Sequence, residues 1–437
     1  MQTLQQLQNG ELKGATSLKL SEELSHFPQE IFELADTLEI LDLSRNNLSS
    51  LPPDFGRLKK LRILFCSENP FTTLPEVLAD CPLLDIVGFK SNQIGVVPPK
   101  SVNPNIRWLI LTNNKVEKLP AEIGNCHRMQ KLMLAGNKLQ ELPQQLSQCR
   151  NLELLRISAN QLKELPLWLL TMPKLSWLAF SGNPFCKKPA AQLLDLIHWN
   201  EFQISHLLGE GASGIISQAT WNNGNEPKDV AIKIFKGAVT SDGLPEDEMN
   251  ACIIAGAHPG LVQIIGQVTA HPEDKKGLIM ELIPQRFYNL GLPPSFESCT
   301  RDVFTEGLSL SAEQVLKIAT TIASVATQLH SNGIMHSDMY AHNTLIDDKG
   351  NTLFGDFGAA CFYELSGKES ASALERIEVR AYGCLIDDLL GLCHQADQAL
   401  IKLAKLRDAC MNKDVASRPD FQYLENELLN CNTKQDS

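Results

Sequence analysis

The chain has 437 residues, an ordinary globular composition of 43% hydrophobic and 21% charged residues, and a net charge of −12. This length allows two or three domains with sizeable cores, and the acidic balance excludes a nucleic-acid backbone or an anionic membrane surface as the main partner, because either selects a basic face. The twelve cysteines include no C-x-x-C pair and no His/Cys cluster at zinc spacing, so they read as reduced thiols.

The first residues, MQTLQQLQNGELKGATS, lack a basic start followed by an apolar run. No apolar stretch reaches the roughly 18 residues that a membrane helix needs, so a cytoplasmic protein without a membrane span is expected. From there the pattern L-x-x-L-x-L-x-x-N-x-L recurs, with its asparagine at Asn46, Asn69, Asn92, Asn114, Asn137, Asn160 and Asn183. The spacing is 23 residues, once 22. A second marker keeps the same beat, at Leu51-Pro52, Leu74-Pro75, Val97-Pro98, Leu119-Pro120, Leu142-Pro143 and Leu165-Pro166.

Each unit needs these parts. The leucines of a short strand, such as Leu38, Leu41 and Leu43, point into a core that only stacked neighbours can close. The asparagine amide bonds backbone groups left unpaired where the chain turns out of the strand. Cys81, Cys126 and Cys149, in the matching contexts ADC, GNC and SQC, read as small buried hydrophobes. An earlier unit with Leu18, Leu20 and Phe27-Pro28 has Glu23 in place of the asparagine and reads as the N-terminal cap.

These residues resemble the leucine-rich repeat family over about residues 12–198. The resemblance implies a curved horseshoe with a parallel sheet on its concave side. Function would then lie in the outward strand columns, Ile40, Ile63, Ile86, Trp108, Lys131, Leu154, Trp177 and Asp42, Phe65, Gly88, Ile110, Met133, Arg156, Ala179. An apolar concave face of this kind suits a protein or peptide partner, with Trp108, Trp177, Ile110, Phe65 and Arg156 as anchors. The bland alternative is that these side chains stack on one another within the sheet and bind nothing. After the last repeat, AAQLLDLIHW reads as a helix that caps the solenoid's open end.

Next comes FQISHLL, a strand, followed by LLGEGASGII with Gly209, Gly211 and Gly214 in G-x-G-x-x-G order. Such glycines let backbone amides approach a phosphate, but the same string opens a helix in dinucleotide folds. The strand VAIKIF then carries Lys233, a candidate for the α- and β-phosphates. In the helix PEDEMNACIIAGAHPG, Glu248 is the best-placed partner for Lys233, with Asp247 and Glu246 as fallbacks. GLIMELIP reads as a buried strand running into a connector, where Glu281 and Ile283 offer backbone groups to an adenine edge and Met280 borders the pocket; Ile216 and Ala231 are further contacts. The stretch RFYNLGLPPSFESCTRDVFTEGLSLS reads as loop at the lip of that pocket, with helix resuming at SAEQVLKIATTIASVATQLH.

His336-Ser337-Asp338, then Asn343, then Asp356-Phe357-Gly358 form the densest constellation. Phosphoryl transfer needs one carboxylate for the substrate hydroxyl, the role of Asp338, and oxygen ligands for magnesium, the role of Asn343 and Asp356. TLIDDKGNTLF between them reads as a hairpin that brings the two metal ligands together.

This half is similar to the protein kinase family over about residues 200–430, with YGCLIDDLL as the helix after the activation segment and Arg418 as the closing arginine. The resemblance implies a small β-rich lobe above a helical lobe with ATP and Mg2+ between them. The fold class expected for the whole chain is an α/β leucine-rich-repeat solenoid followed by an α+β two-lobed protein kinase fold. The expected domains are 1–198, with the N-terminal cap and the C-terminal capping helix, and 199–437.

Three departures stand out. Ser337 replaces the arginine that would receive a phosphorylated activation loop. No A-P-E tripeptide follows Asp356, leaving Glu375 or Glu378 as anchors of that segment. Tyr340 replaces the lysine of serine/threonine kinases, with His342 as a compensating cation, so the serine/threonine assignment follows family frequency. The expected function is an ATP-dependent protein kinase whose repeats recruit a partner or substrate. The alternative is a pseudokinase scaffold whose output is the repeat surface.

Overall fold

The computed structural model describes residues 2–432 apart from 187–193 and the single positions 212, 223, 225, 238, 241, 367 and 396. The chain divides into two compact units, Met1–Met172 with Asn183–Phe185, and Pro173–Gly182 with Cys186–Ser437.

The first unit is a repeat solenoid. Helix α1 (Leu4–Gln8), closed by a Thr3/Gln6 capping box, buries Leu7 beside the first turn and forms the cap. Strands β1 to β7 follow (Ser17–Lys19, Ile40–Asp42, Ile63–Phe65, Ile86–Gly88, Trp108–Ile110, Lys131–Met133 and Leu154–Arg156), each pairing in parallel and in register with the next. The proline beat has a local cause. The carbonyls of Pro28, Pro52, Pro75, Pro98, Pro120, Pro143 and Pro166 accept the amides of Ile31, Phe55, Leu78, Ser101, Ile123, Leu146 and Leu169, the first bond of each 3₁₀ turn. Proline's fixed φ suits that extended position before a turn. Cys81, Cys126 and Cys149 are fully buried, and the cysteines among the described residues are free thiols.

The asparagines form the expected ladder. Asn137 Nδ2 donates to the carbonyls of Leu111 (2.8 Å) and Leu134 (2.9 Å), while Oδ1 accepts the Val116 amide (3.0 Å). Asn46, Asn69, Asn114 and Asn160 repeat this bridge between neighbouring turns. Asn137→Ala strips three buried backbone groups of a partner and is expected to cost about 3 kcal/mol of stability. Chemical denaturation followed by circular dichroism measures this, and an unchanged midpoint would count against the ladder as the source of stacking.

The outward columns are less open than their positions suggest. Trp177, Arg156, Ile86 and Leu154 are buried within the folded chain, whereas Phe65, Trp108 and Ile110 remain half-buried. Lys131 places its ammonium 4.2 Å from the centre of the Trp108 ring. The expectation that Trp177 and Arg156 anchor a partner is therefore corrected, because neither presents its side chain to solvent.

The second unit begins with β8 (Trp177–Ala179), a three-residue strand that carries the repeat pattern. The predicted capping helix is corrected as well. Residues 190–193 lie outside the described residues, and Leu196–His198 form strand β9, which pairs in parallel with 267–269, with Ile197 buried in the core of that sheet. The sheet runs in the order β10-β11-β12-β14-β13-β9, with β10 Phe202–Glu210, β11 Gly214–Trp221, β12 Lys228–Phe235, β13 Ile264–Thr269 and β14 Gly277–Glu281. Helix α2 (Pro245–Ala255) buries Met249 and Ile253 against Phe235 and Leu278 of this sheet.

Below it lies a helical lobe. Two short strands, β15 (Tyr288–Asn289) and β16 (Ile334–Met335), flank helix α3 (Ala312–Ser331), which opens on a Ser311/Gln314 capping box. Strands β17 (Thr344–Ile346) and β18 (Thr352–Phe354) form the hairpin read from TLIDDKGNTLF, and β19 (Cys361–Phe362) pairs with β16. Helices α4 (Lys368–Gly391), α5 (Gln398–Cys410) and α6 (Phe421–Asn432) complete the lobe. Among the described residues no helix is long and apolar enough to cross a membrane.

Candidate active site

The glycine string closes a β-hairpin and opens no helix, which resolves the ambiguity of the motif. Gly211 donates to the Gly214 carbonyl (2.9 Å) at the tip between β10 and β11. A Cβ at Gly214 would sit 2.7 Å from the Ile234 carbonyl, so only glycine lets β11 lie this close to β12. At Gly209 and Gly211 a Cβ would meet nothing within 4 Å, because both border a cleft of about 700 Å³.

That cleft collects the sequence candidates. Gly209, Gly211, Gly214, Ile216, Ala231, Lys233, Glu248, Met280, Glu281, Ile283, Asn343 and Asp356 all line it. Lys233 projects from β12 onto Glu248 of α2, and the two form a buried ion pair. Burial works against the Lys233 charge, but the carboxylates of Glu248 and, farther off, Asp356 outweigh it and hold the ammonium above its ordinary pKa. The fallback Glu246 is instead exposed and paired with Lys276 at 2.9 Å. In the connector, the Glu281 amide is committed to the Gln263 carbonyl (3.0 Å). Glu281 and Ile283 both border the cleft, where backbone groups of a connector would meet a planar ligand edge.

Across the cleft, Asn343 donates through Nδ2 to both the carboxylate (2.8 Å) and the carbonyl (2.9 Å) of Asp338. Its Oδ1 is thereby the atom able to ligate a cation. Gly355 donates to the Asn343 carbonyl (3.1 Å), which brings Asp356 beside it, and Asp356 adopts a left-handed backbone (φ 57°) with its carboxylate accepting the Gly358 amide. Among the described residues no three His, Cys, Asp or Glu side chains converge as a metal site of their own. Phosphate and water oxygens are the usual further ligands of a magnesium ion held by one or two protein groups.

Asp338 is positioned from both sides of the chain. His336 is fully buried, donates from Nε2 to the Gly355 carbonyl (3.0 Å) and accepts the Asp338 amide at Nδ1 (3.3 Å). Burial pulls its pKa down, in keeping with this neutral tautomer. Ser337 sits at φ 67° and is fully buried.

Several functional contacts escaped the sequence reading. Glu378, one of the two expected anchors of the activation segment, lies inside α4, and its buried carboxylate accepts the amides of His336 and Ser337 and the His330 ring. Glu375 accepts the Phe421 amide (2.9 Å). Neither meets Arg418, whose guanidinium donates to the carbonyls of Asn412, Arg376 and Pro173. Burial, and then the neighbouring Arg380, pulls Arg418 down to about 10. The helix expected at YGCLIDDLL begins earlier, at Lys368, which leaves only a short segment between it and Asp356.

The stretch read as loop at the lip of the cleft does more than border it. Its Asp302 accepts the His342 amide (2.9 Å) and ring Nδ1 (2.7 Å), and its Arg301 pairs with Asp387 and Asp388 of α4. Burial opposes the His342 charge, but Asp302, backed by Asp338 and Asp356, raises its pKa. Nothing in the composition of that stretch separates Asp302 from any other loop aspartate.

Residues 202–382 match the family model described as protein tyrosine and serine/threonine kinase. Residues 104–162 and 36–80 match leucine-rich-repeat models. A probable serine/threonine-protein kinase of Dictyostelium discoideum is 31% identical over 175 residues, 40% of this chain and 10% of that protein. A probable inactive serine/threonine-protein kinase of the same organism is 36% identical over 106 residues, 23% of this chain and 4% of that protein. The chain thus spans a tenth or less of the length of these relatives. A solved leucine-rich-repeat protein of Leptospira interrogans is similar at 26% identity and a TM-score of 0.35, over 41% of this chain and 52% of that one.

Proposed function

We propose that this chain, which joins leucine-rich repeats to a protein kinase domain, transfers the γ-phosphate of ATP to a serine or threonine hydroxyl of a protein. The observation that carries the reading is the buried Lys233–Glu248 pair facing Asn343 and Asp356 across one cleft. In this reading Glu248 holds the Lys233 ammonium towards the α- and β-phosphates, and the hairpin amides between Gly209 and Gly214 cover them. Ile216, Ala231 and Met280 wall the adenine, and the backbone of Glu281 and Ile283 meets its edge. Asn343 and Asp356 ligate magnesium, which when bound neutralises the phosphate oxygens. Asp338 accepts or orients the proton of the attacking hydroxyl. Phe65, Trp108 and Ile110, half-buried on the repeat strands, are the residues left to receive a protein partner.

A pseudokinase scaffold is the second reading. It draws on Ser337 and on the relative whose name marks it as probably inactive. Transfer from labelled ATP with Mg2+, wild type against Asp338→Asn, decides between the two. Equal incorporation in both overturns the enzyme reading. ATP-dependent stabilisation without transfer, about 2.7 kcal/mol at one hundred times Kd, supports the scaffold.

A further inference from the structure

The stretch Pro173–Gly182 belongs to the second compact unit, and its contacts fall on the parts of the lobe that frame Asp338. The Trp177 indole is almost fully buried and lies flat on Tyr340, with ring centres 4.4 Å apart and planes 6° from parallel. Its Nε1 donates to the Met339 carbonyl (3.1 Å). One side chain thus grips the two residues that directly follow Asp338. Nearby, the Phe180 amide donates to Cys361 Sγ (3.0 Å) on the strand paired with β16, and Ser176 and the Pro173 carbonyl receive Arg380 (2.6 Å) and Arg418 (2.8 Å).

This grip matters because the loop it holds is strained. Ser337 is a non-glycine residue in the left-handed region, a conformation that costs about 1–3 kcal/mol and persists only where its surroundings over-determine it. Glu378 fixes the N-terminal side through the amides of His336 and Ser337. Trp177 fixes the C-terminal side, and the peptide between the two carries Asp338. The buried Ser337 offers no charge for a phosphorylated loop to engage.

We propose that Trp177 is a positioning residue for phosphoryl transfer, a permanent support behind Asp338 that stands in for a loop ordered by phosphorylation. The proposal rests on the kinase reading above. Its test uses the full chain with labelled ATP, Mg2+ and casein as acceptor, comparing wild type with Trp177→Ala and Trp177→Phe. The alanine variant is expected to lower kcat about 100-fold, the loss typical of a small misplacement of reacting groups, with the KM for ATP within about twofold. The phenylalanine variant keeps the stack on Tyr340 and loses only the N–H donor, so its kcat should return to within about fivefold of wild type.

Amide hydrogen exchange supplies a readout independent of turnover. Met339–Asn343 should exchange faster in both variants while the Gly209–Gly214 hairpin is unchanged. If the alanine variant does not fold, the phenylalanine variant carries the test through this localised exchange and its modest kcat loss. An unaltered kcat in the alanine variant, unaltered exchange at Met339–Asn343 in the phenylalanine variant, an increase in kcat as from removal of a plug, or a parallel loss of ATP affinity with exchange raised across the lobe overturns the proposal alone. Absence of transfer in wild type, matching Asp338→Asn, overturns the kinase reading and this proposal together.

Discussion

Asp338→Asn should lower the rate of phosphate transfer about 10³-fold, within the range that a positioned proton acceptor contributes, while ATP binding stays within about threefold of wild type. The two effects separate because of where the carboxylate lies. Lys233, Glu248, Asn343 and Asp356 line the cleft and would carry the nucleotide and its magnesium, whereas Asp338 reaches that group through Asn343, which donates to its carboxylate. An asparagine at 338 has the same shape and can still accept the Asn343 Nδ2 through its own oxygen, so the loop keeps its bond. It loses the capacity to take a proton. Initial rates of labelled-phosphate incorporation, paired with the Kd of a fluorescent ATP analogue, read the two quantities apart. A parallel collapse of ATP affinity would show that the substitution acts through the nucleotide site and would refute the role given to Asp338.

How far the sequence discloses such a site depends on the range of the interactions that build it. Periodic features were legible, because a repeat writes the same physical demand many times. The buried asparagine ladder follows directly from the register, and the proline beat was visible in it, though not the 3₁₀ turn that each proline starts. Local motifs were legible for a related reason. The Gly209–Gly214 tip, the Thr344–Phe354 hairpin and the Lys233 strand are each specified within about ten residues, and the buried pair with Glu248 adds one nearby helix. Contacts distant in sequence were not. Trp177 looked like a solvent-facing column residue because neighbours in the strand pattern predict its direction, but not that Tyr340, 163 positions on, would cover it. Asp302 and Glu378 carry no local signature, and their meaning comes from the amides of His342, His336 and Ser337 that the fold brings to them. The end of AAQLLDLIHW became a strand because β13 offered an open edge, a tertiary partner that overrode the apolar helical spacing.

Glu378 is where this long-range order is most exposed to change. Its fully buried carboxylate accepts the backbone amides of His336 and Ser337 and the Nε2–H of His330, whose Nδ1 in turn accepts the Tyr363 hydroxyl (2.8 Å). Burial, followed by Glu375 and Glu378, pushes the Tyr363 phenol up, so it stays a donor and fixes that tautomer. Truncation by Glu378→Ala leaves three buried donors without an acceptor and should cost about 3–5 kcal/mol, a fall in Tm of roughly 10 °C for a domain of this size. The pH dependence gives a sharper reading. Burial raises the Glu378 pKa, but the hydrogen bonds it accepts from the His330 ring and the Ser337 amide overcome it and hold the carboxyl below its ordinary value. A carboxyl whose folded pKa is depressed stabilises fully above its unfolded pKa and loses that contribution as pH falls through the folded value. Glu378→Gln keeps the shape and gives up the charge. Its deficit in Tm against wild type should therefore be constant from neutral pH down to about 5 and shrink below about 4, as the wild-type carboxylate is protonated. Calorimetric scans of both proteins across that range measure the gap, and a difference that does not change with pH would mean that Glu378 holds the loop by shape alone.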